Sequence, residues 1–203
     1  VLSPAGVQEV MDYGLFGFAL SRFAGVWAGL KCIKDTIEVT SVVNGDPLRL
    51  QFVTPEFDMP EGGLNIRLID TPQAQEARII DHKCRAVQAF ARANRMDKRV
   101  LGQAGAKIGF VAAGKNWLDL AHAMQVLGID QQAAVRHGVT TYKVAMTWPL
   151  DIQSFSEWAE GLDCIVVVEE KRKLIESQIK EALFNQKGSR RVFGGQDAQG
   201  ALL

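Results

Sequence analysis

Cysteine is scarce in this chain, and what there is lies scattered. Cys32, Cys84 and Cys164 form no C-x-x-C pair in 203 residues, which argues against a disulfide framework, a zinc site or an iron–sulfur cluster held by this chain. Net charge is missing too: 23 basic residues cancel 23 acidic ones, leaving no electrostatic footprint for nucleic acid or an anionic membrane. The one long apolar stretch near the start, Val10 to Ile33, is broken by Asp12, Arg22 and Lys31 and does not suit a bilayer. No signal-peptide or lipidation pattern is recognisable, and there is no G-x-G-x-x-G, P-loop or G-x-S-x-G motif. His82, His122 and His137 have no partner at ligand or triad spacing. We therefore expect a reducing, cytoplasmic setting, and no catalytic machinery that can be read from motifs.

What the chain has in quantity is alternation. Between Lys107 and Asn185 three apolar runs, KIGFVAAG, TTYKVAM and DCIVVVEE, are each followed by a segment with apolar residues at helical spacing. Short unbroken apolar runs are strands with both faces covered. Ile152, Phe155, Ala159 and Leu162 make one helical stripe, and Leu174, Ile175, Ile179, Ala182 and Leu183 another. Parallel strands need crossover helices, so the pattern predicts an α/β fold: a three-layer, open, mostly parallel sheet, preceded by an incomplete αβ segment.

The first sixty residues read as that incomplete segment. Ser3-Pro4 has the form of a helix opening, with the helix running to about Phe23 and burying Val7, Met11, Leu15 and Phe18. Gly14 and Gly17 each cost it roughly 1 kcal/mol relative to alanine, which suggests close packing against another backbone. Val26 to Ile33 reads as a buried strand, and residues 35–57 as β-rich and irregular. Asp58 to Asp70 is a linker broken by Pro60, Gly62 and Gly63. Thr71-Pro72 opens a second helix to about Asn94, with Ala77, Ile80, Cys84, Val87 and Ala91 inside and Arg78, Lys83, Arg85 and Arg92 in water. The Gly-rich end, VFGGQDAQGALL, closes no element in this reading. With Val1 in place of an initiator Met, the expectation is a piece of a longer polypeptide, exposing apolar surface on the first helix and on Val26 to Ile33.

Ligands of open α/β sheets gather beyond the carboxyl ends of the strands. The residues expected there are Gly114, Lys115 and Asn116, then Thr147 and Trp148, then Glu169, Glu170 and Lys171. Lys115, Asn116 and Thr147 are the weak candidates for binding a cofactor or phosphate at a helix N-terminus, with Asn116 as the cap. Trp148, Glu169 and Glu170 are candidates for an interface. Glu169 and Glu170 are adjacent and cannot face each other across a substrate; stabilising the following helix N-terminus explains them better. No catalytic residue and no metal ligand is assigned. A nucleotide-binding α/β module would need a phosphate loop that the chain lacks, and a free-standing docking module for a thiamine enzyme would need a complete first unit.

Several phrases together resemble one family. SPAGVQEVMDYGLFGFALSRFAGVWAGLK, GGLNIRLIDTPQAQEARIIDHKCRAVQAFARANRMDK, KIGFVAAGKNWLDLAHAMQVLGID, YKVAMTWPLD and IVVVEEKRKLIESQIKEALFN resemble, in the same order, 2-oxoacid:ferredoxin oxidoreductases of the large, fused indolepyruvate type. The resemblance implies that residues 1–57 are the tail of a pyrimidine-type thiamine domain, 58–106 a linker and long helix, 107–186 a transketolase C-terminal-like domain, and 187–203 the start of a following segment. It also implies thiamine diphosphate, magnesium and iron–sulfur clusters in the parent enzyme, ferredoxin as electron acceptor, and a homo-oligomer. The family's magnesium–diphosphate element is absent from these residues. We therefore expect the chain to bind none of these cofactors, to serve assembly, and to be inactive alone.

Overall fold

The computed structural model describes residues 1–171, 173–186, 190–197 and 199–202. Arg172, within the expected last helix, and residues 187–189, where the expected final segment begins, lie outside the described residues. Helix α1 is Val7–Ala24, later than the Ser3-Pro4 opening, and its boundary residue Gly6 is extended without a side-chain cap. Leu2 explains the delay. It is wholly buried, its N–H donates to Gly29 O at 2.8 Å, and its carbonyl accepts from Lys31 N at 2.7 Å. Ser3 N donates to Ala145 O at 2.8 Å, so backbone pairing on both sides holds residues 2 and 3 extended.

The buried face of α1 is Tyr13, Phe16, Gly17, Leu20 and Ala24, not the expected Val7–Met11–Leu15–Phe18 stripe, of which Leu15 and Phe18 are exposed. Apolar residues surround this helix, so periodicity alone does not choose a face. Gly17 helps to choose it: a Cβ there would sit 3.3 Å from Ala28 Cβ and 3.6 Å from Leu2 Cδ1, an approach that the bare backbone allows. Gly14 has no such neighbour. Val26 to Ile33 is not a strand; Leu30 alone bridges to Leu2, and Trp27 is 96% exposed. Nor is 35–57 β-rich, for it holds the short helix α2 (Lys34–Ile37) and no strand. Its β-branched residues find no ladder to join, and β propensity without cross-strand packing makes no sheet.

Thr71 caps the next helix as expected, its Oγ1 accepting from Ala74 N at 3.2 Å ahead of α3 (Pro72–Arg78). A π-helical turn at Ile79–Lys83 then separates α3 from α4 (Cys84–Ala93). That wider turn breaks the phase of the expected stripe. Val87 and Ala91 are buried with Ala86 and Phe90, Cys84 is half-buried, and Ala77 and Ile80 are exposed. Lys83, expected in water, is buried, and Arg92 pairs with Asp151 at 2.7 Å.

The second half follows the alternation. A two-residue strand, β1 (Lys98–Arg99), precedes β2 (Ile108–Ala113), α5 (Gly114–Val126), α6 (Gln131–His137), β3 (Val139–Val144), α7 (Ile152–Trp158), β4 (Cys164–Val168), α8 (Leu174–Leu183) and β5 (Arg191–Phe193). Strand order is β1-β3-β2-β4-β5, parallel except for β1. The Gly-rich end does close an element, since Arg191–Phe193 pairs with Cys164–Val166. Asn116 is not a cap, because α5 starts earlier, at Gly114. Thr147-Trp148-Pro149 leads from β3 towards α7 through a cis Trp148–Pro149 bond.

Side chains alternate across the sheet. Val111, Tyr142, Val144, Ile165 and Val167 pack on α7 and α8, whereas Phe110, Ala112 and Val139 pack on α5 through Trp117, Leu120 and Met124. A third cluster joins α1 and α4 to Ala145 and Met146, just past β3. No helix among the described residues is long and apolar enough to cross a membrane.

Candidate functional site

Three strand ends meet in one crevice. β2 is central, β3 lies on one side of it and β4 on the other, so the turns after β2 and β4 diverge, as at the ligand-binding switch point of open α/β sheets. The crevice, about 550 Å³, is lined by Gly114, Lys115, Asn116, Thr147, Glu169, Glu170 and Lys171, joined by Ser3, Lys31 and Lys173. Five of the six singled-out candidates therefore come together. Trp148 does not; it lines a separate cleft with Trp27.

Most polar groups in the crevice already have partners. Lys115 Nζ donates to Asp119 Oδ1 and Oδ2 at 3.0 and 2.8 Å, and the Asp119 carboxylate raises the Lys115 ammonium above its ordinary value. Thr147 is buried, its N–H donating to Val1 O at 2.9 Å and its carbonyl accepting from Gln178 Nε2 at 2.9 Å. The two oxygens of Glu169 accept from Ile175 N at 2.8 Å and Glu176 N at 2.9 Å. Glu169 thus satisfies the first turn of α8, while Glu170 remains mostly exposed. Gly114, with φ of 55°, allows α5 to start directly from β2 against Ser3 Oγ. The arrangement shapes a cationic recess and supplies no free acid–base pair.

The sequence reading missed Ser3, Lys31 and Lys173. Lys31 was hidden by the strand expected at Val26 to Ile33, and Ser3 by the helix opening expected there. His82, His122 and His137 lie on separate segments. Among the described residues no group of three or more His, Cys, Asp or Glu could hold a metal ion. Cys32, Cys84 and Cys164 are free thiols, and burial pushes the Cys84 thiol up.

The architecture is an α/β layer with a mostly parallel five-stranded sheet. Within that class the sequence is more specific. Residues 98–203, over half the chain, match the model of the indolepyruvate oxidoreductase domain, and the chain belongs to that family. It is 25% identical over 195 residues to the indolepyruvate oxidoreductase subunit IorA of Pyrococcus abyssi, covering 91% of this chain and 28% of that protein. It is 22% identical over 180 residues to the same subunit of Methanothermobacter marburgensis, covering 88% of this chain and 27% of that one. The chain thus spans between a quarter and a third of these relatives' length. Among solved structures, a 2-oxoglutarate:ferredoxin oxidoreductase from Magnetococcus marinus, with 2-oxoglutarate, coenzyme A and succinyl-CoA bound, is similar over 74% of this chain and 24% of that chain. Its TM-score is 0.43, with 11% identity. A split-gene transketolase, an inactive beta4 tetramer, is similar over 48% of this chain and 31% of its own at TM-score 0.35, with 19% identity.

Proposed function

We propose that this chain is a scaffold-and-assembly portion of a thiamine-diphosphate-dependent 2-oxoacid:ferredoxin oxidoreductase of the indolepyruvate type. In this reading the whole enzyme oxidatively decarboxylates an aryl 2-oxo acid to its acyl-CoA and passes the electrons through iron–sulfur clusters to ferredoxin. The observation that carries the reading is the match of residues 98–203 to the indolepyruvate oxidoreductase domain. The small share of each relative that the chain spans supports a division of labour within a longer polypeptide. Residues 1–57 then complete a thiamine-type domain contributed elsewhere, 58–106 connect, 107–186 form the supporting layer, and 187–203 lead onward. The exposed Leu15 and Phe18 of α1 are the surface against which the rest of the enzyme packs, and copies of the enzyme pair as a homo-oligomer.

The residues present do not fit a magnesium–diphosphate anchor. Magnesium on a diphosphate takes one or two carboxylates beside phosphate and water oxygens, and of the two carboxylates that line the strand-end crevice Glu169 is committed to the Ile175 and Glu176 N–H groups while Glu170 lies beside Lys171. Thiamine diphosphate would supply the electron sink for decarboxylation, yet no step of that chemistry is assigned to this chain. Its own contribution is rigidity: the packed sheet, and the ties from Asp97 Oδ1 to Ala145 N and Met146 N at 2.7 and 3.1 Å, which hold the strand-end turn beside α1. Assay of the polypeptide that carries this segment should show CoA-dependent oxidation of indolepyruvate coupled to ferredoxin reduction, and the 203-residue chain alone should show none. Turnover by the chain alone, or no ferredoxin reduction by the carrying polypeptide, would overturn the proposal.

A further inference from the structure

A second cleft, of about 330 Å³, opens where the residues following α1, the 65–70 loop, the π-helical turn and the Trp148-Pro149 turn converge. Its chemistry differs from that of the strand-end crevice. Two indoles line it, Trp27 at 96% and Trp148 at 48% exposure, so large flat apolar faces stand open to the cleft rather than filling a core. Three side-chain cations, Arg67, Arg78 and Lys83, share its wall with a single carboxylate, Asp70, which lies 3.4 Å from Arg67 and 3.5 Å from Arg78, and the Val1 ammonium at its edge is taken up by Trp148 O. Lys83 is the telling group. It is only 5% exposed, and its Nζ has one acceptor, Gly25 O at 2.8 Å. No carboxylate among the described residues forms an ion pair with it. A buried ammonium without an ion pair of its own is costly; the one carboxylate lining the recess, Asp70, pairs with Arg67 and Arg78 and reaches Lys83 only as a longer-range attraction. Burial, then the neighbouring Arg78, lower the Lys83 ammonium from its ordinary value against the opposing pull of Asp70.

We infer that this cleft binds a small amphipathic organic anion, its apolar body against Trp27 and Trp148 and its charged end at Lys83 and Arg78. The volume suits one ring system of small-ligand size, and the excess of cations over carboxylates selects an anion over a neutral or cationic ligand of the same shape. The inference rests on the assembly surface of the proposed function leaving Trp27 uncovered, and the ligand contrast below tests the cleft separately from the ferredoxin-coupled assay of that function.

Calorimetric titration of the 203-residue chain with 2-naphthalenesulfonate and with its neutral analogue 2-naphthalenesulfonamide tests the inference. The sulfonate should bind saturably and about tenfold or more tightly than the sulfonamide, as one desolvated charged hydrogen bond allows. Lys83→Met should reduce that preference severalfold, Arg78 supplying the remainder, while leaving sulfonamide affinity unchanged. Trp27→Ala, at a fully solvated position that cannot unfold the chain, should weaken both ligands. No saturable sulfonate binding, equal affinity for the two ligands, full sulfonate affinity in Lys83→Met, or no effect of Trp27→Ala would each overturn it. Should Lys83→Met fail to fold by circular dichroism, the contrast between the two ligands on the unaltered chain still decides.

Discussion

Asp97 carries the most perturbed carboxyl of the described residues. It lies between the two halves of the chain, with Oδ1 accepting two backbone N–H groups and Oδ2 left without a partner. Burial pushes it from 3.8 up to about 7, against the lowering pull of the Met146 and Ala145 N–H groups and with a further push from Asp151. The hydroxyl of Tyr142, also buried and unpartnered, is raised by the same burial and by the Asp97 charge. Because the folded value lies above the unfolded one, the native chain keeps a proton between pH 4 and 7 that the unfolded chain has released. Stability from this residue is therefore present below pH 4 and lost as the pH rises towards 7. Urea midpoints measured across that window should fall with pH, and Asp97→Asn should flatten the slope; an unchanged slope in the variant would sink this reading.

At the level of helices and strands, the account makes two contrasting forecasts. Glu169 satisfies two N–H groups at the head of α8, so Glu169→Ala should cost about 1–2 kcal/mol in urea unfolding, while the neighbouring Glu170→Ala should change stability by less than about 0.5 kcal/mol. Equal effects would remove the capping role. In β2, Gly109 faces the ring of Trp158, where a Cβ would come within 2.5 Å of Cη2 and 2.6 Å of Leu162 Cδ1. Trp158 is pinned by stacking on Tyr142, with centroids 4.9 Å apart, and by its Nε1 donating to Thr140 Oγ1 at 3.2 Å. Gly109→Ala should thus cost about 1–3 kcal/mol by overpacking, seen as a lowered Tm.

These forecasts rest on the part of the fold most legible in the sequence. β2, β3 and β4 are covered on both faces, which forces continuous apolar runs that nothing else in the chain imitates. The strand-end candidates were legible for the same reason, since topology alone brings Lys115, Asn116, Thr147, Glu169 and Glu170 together. β1 and β5 were not, because Lys98-Arg99 and Arg191–Phe193 are edge strands too short and polar to show a pattern. The face of α1 was ambiguous because apolar residues surround it, and the cleft between Trp27 and Trp148 is assembled from segments far apart in sequence.

Taken as a whole, the molecule is a packed α/β layer with a less regular flank. The layer has a continuous core from Val111 to Ile179. The flank leaves Phe18, Trp27, Val42 and Leu68 largely solvated. Titrating the 203-residue chain with thiamine diphosphate and Mg²⁺ in a calorimeter tests the division between support and chemistry most directly. We predict no saturable heat, because the proposed division of labour assigns the ligands for that group to polypeptide outside this segment; micromolar saturable binding would contradict the account.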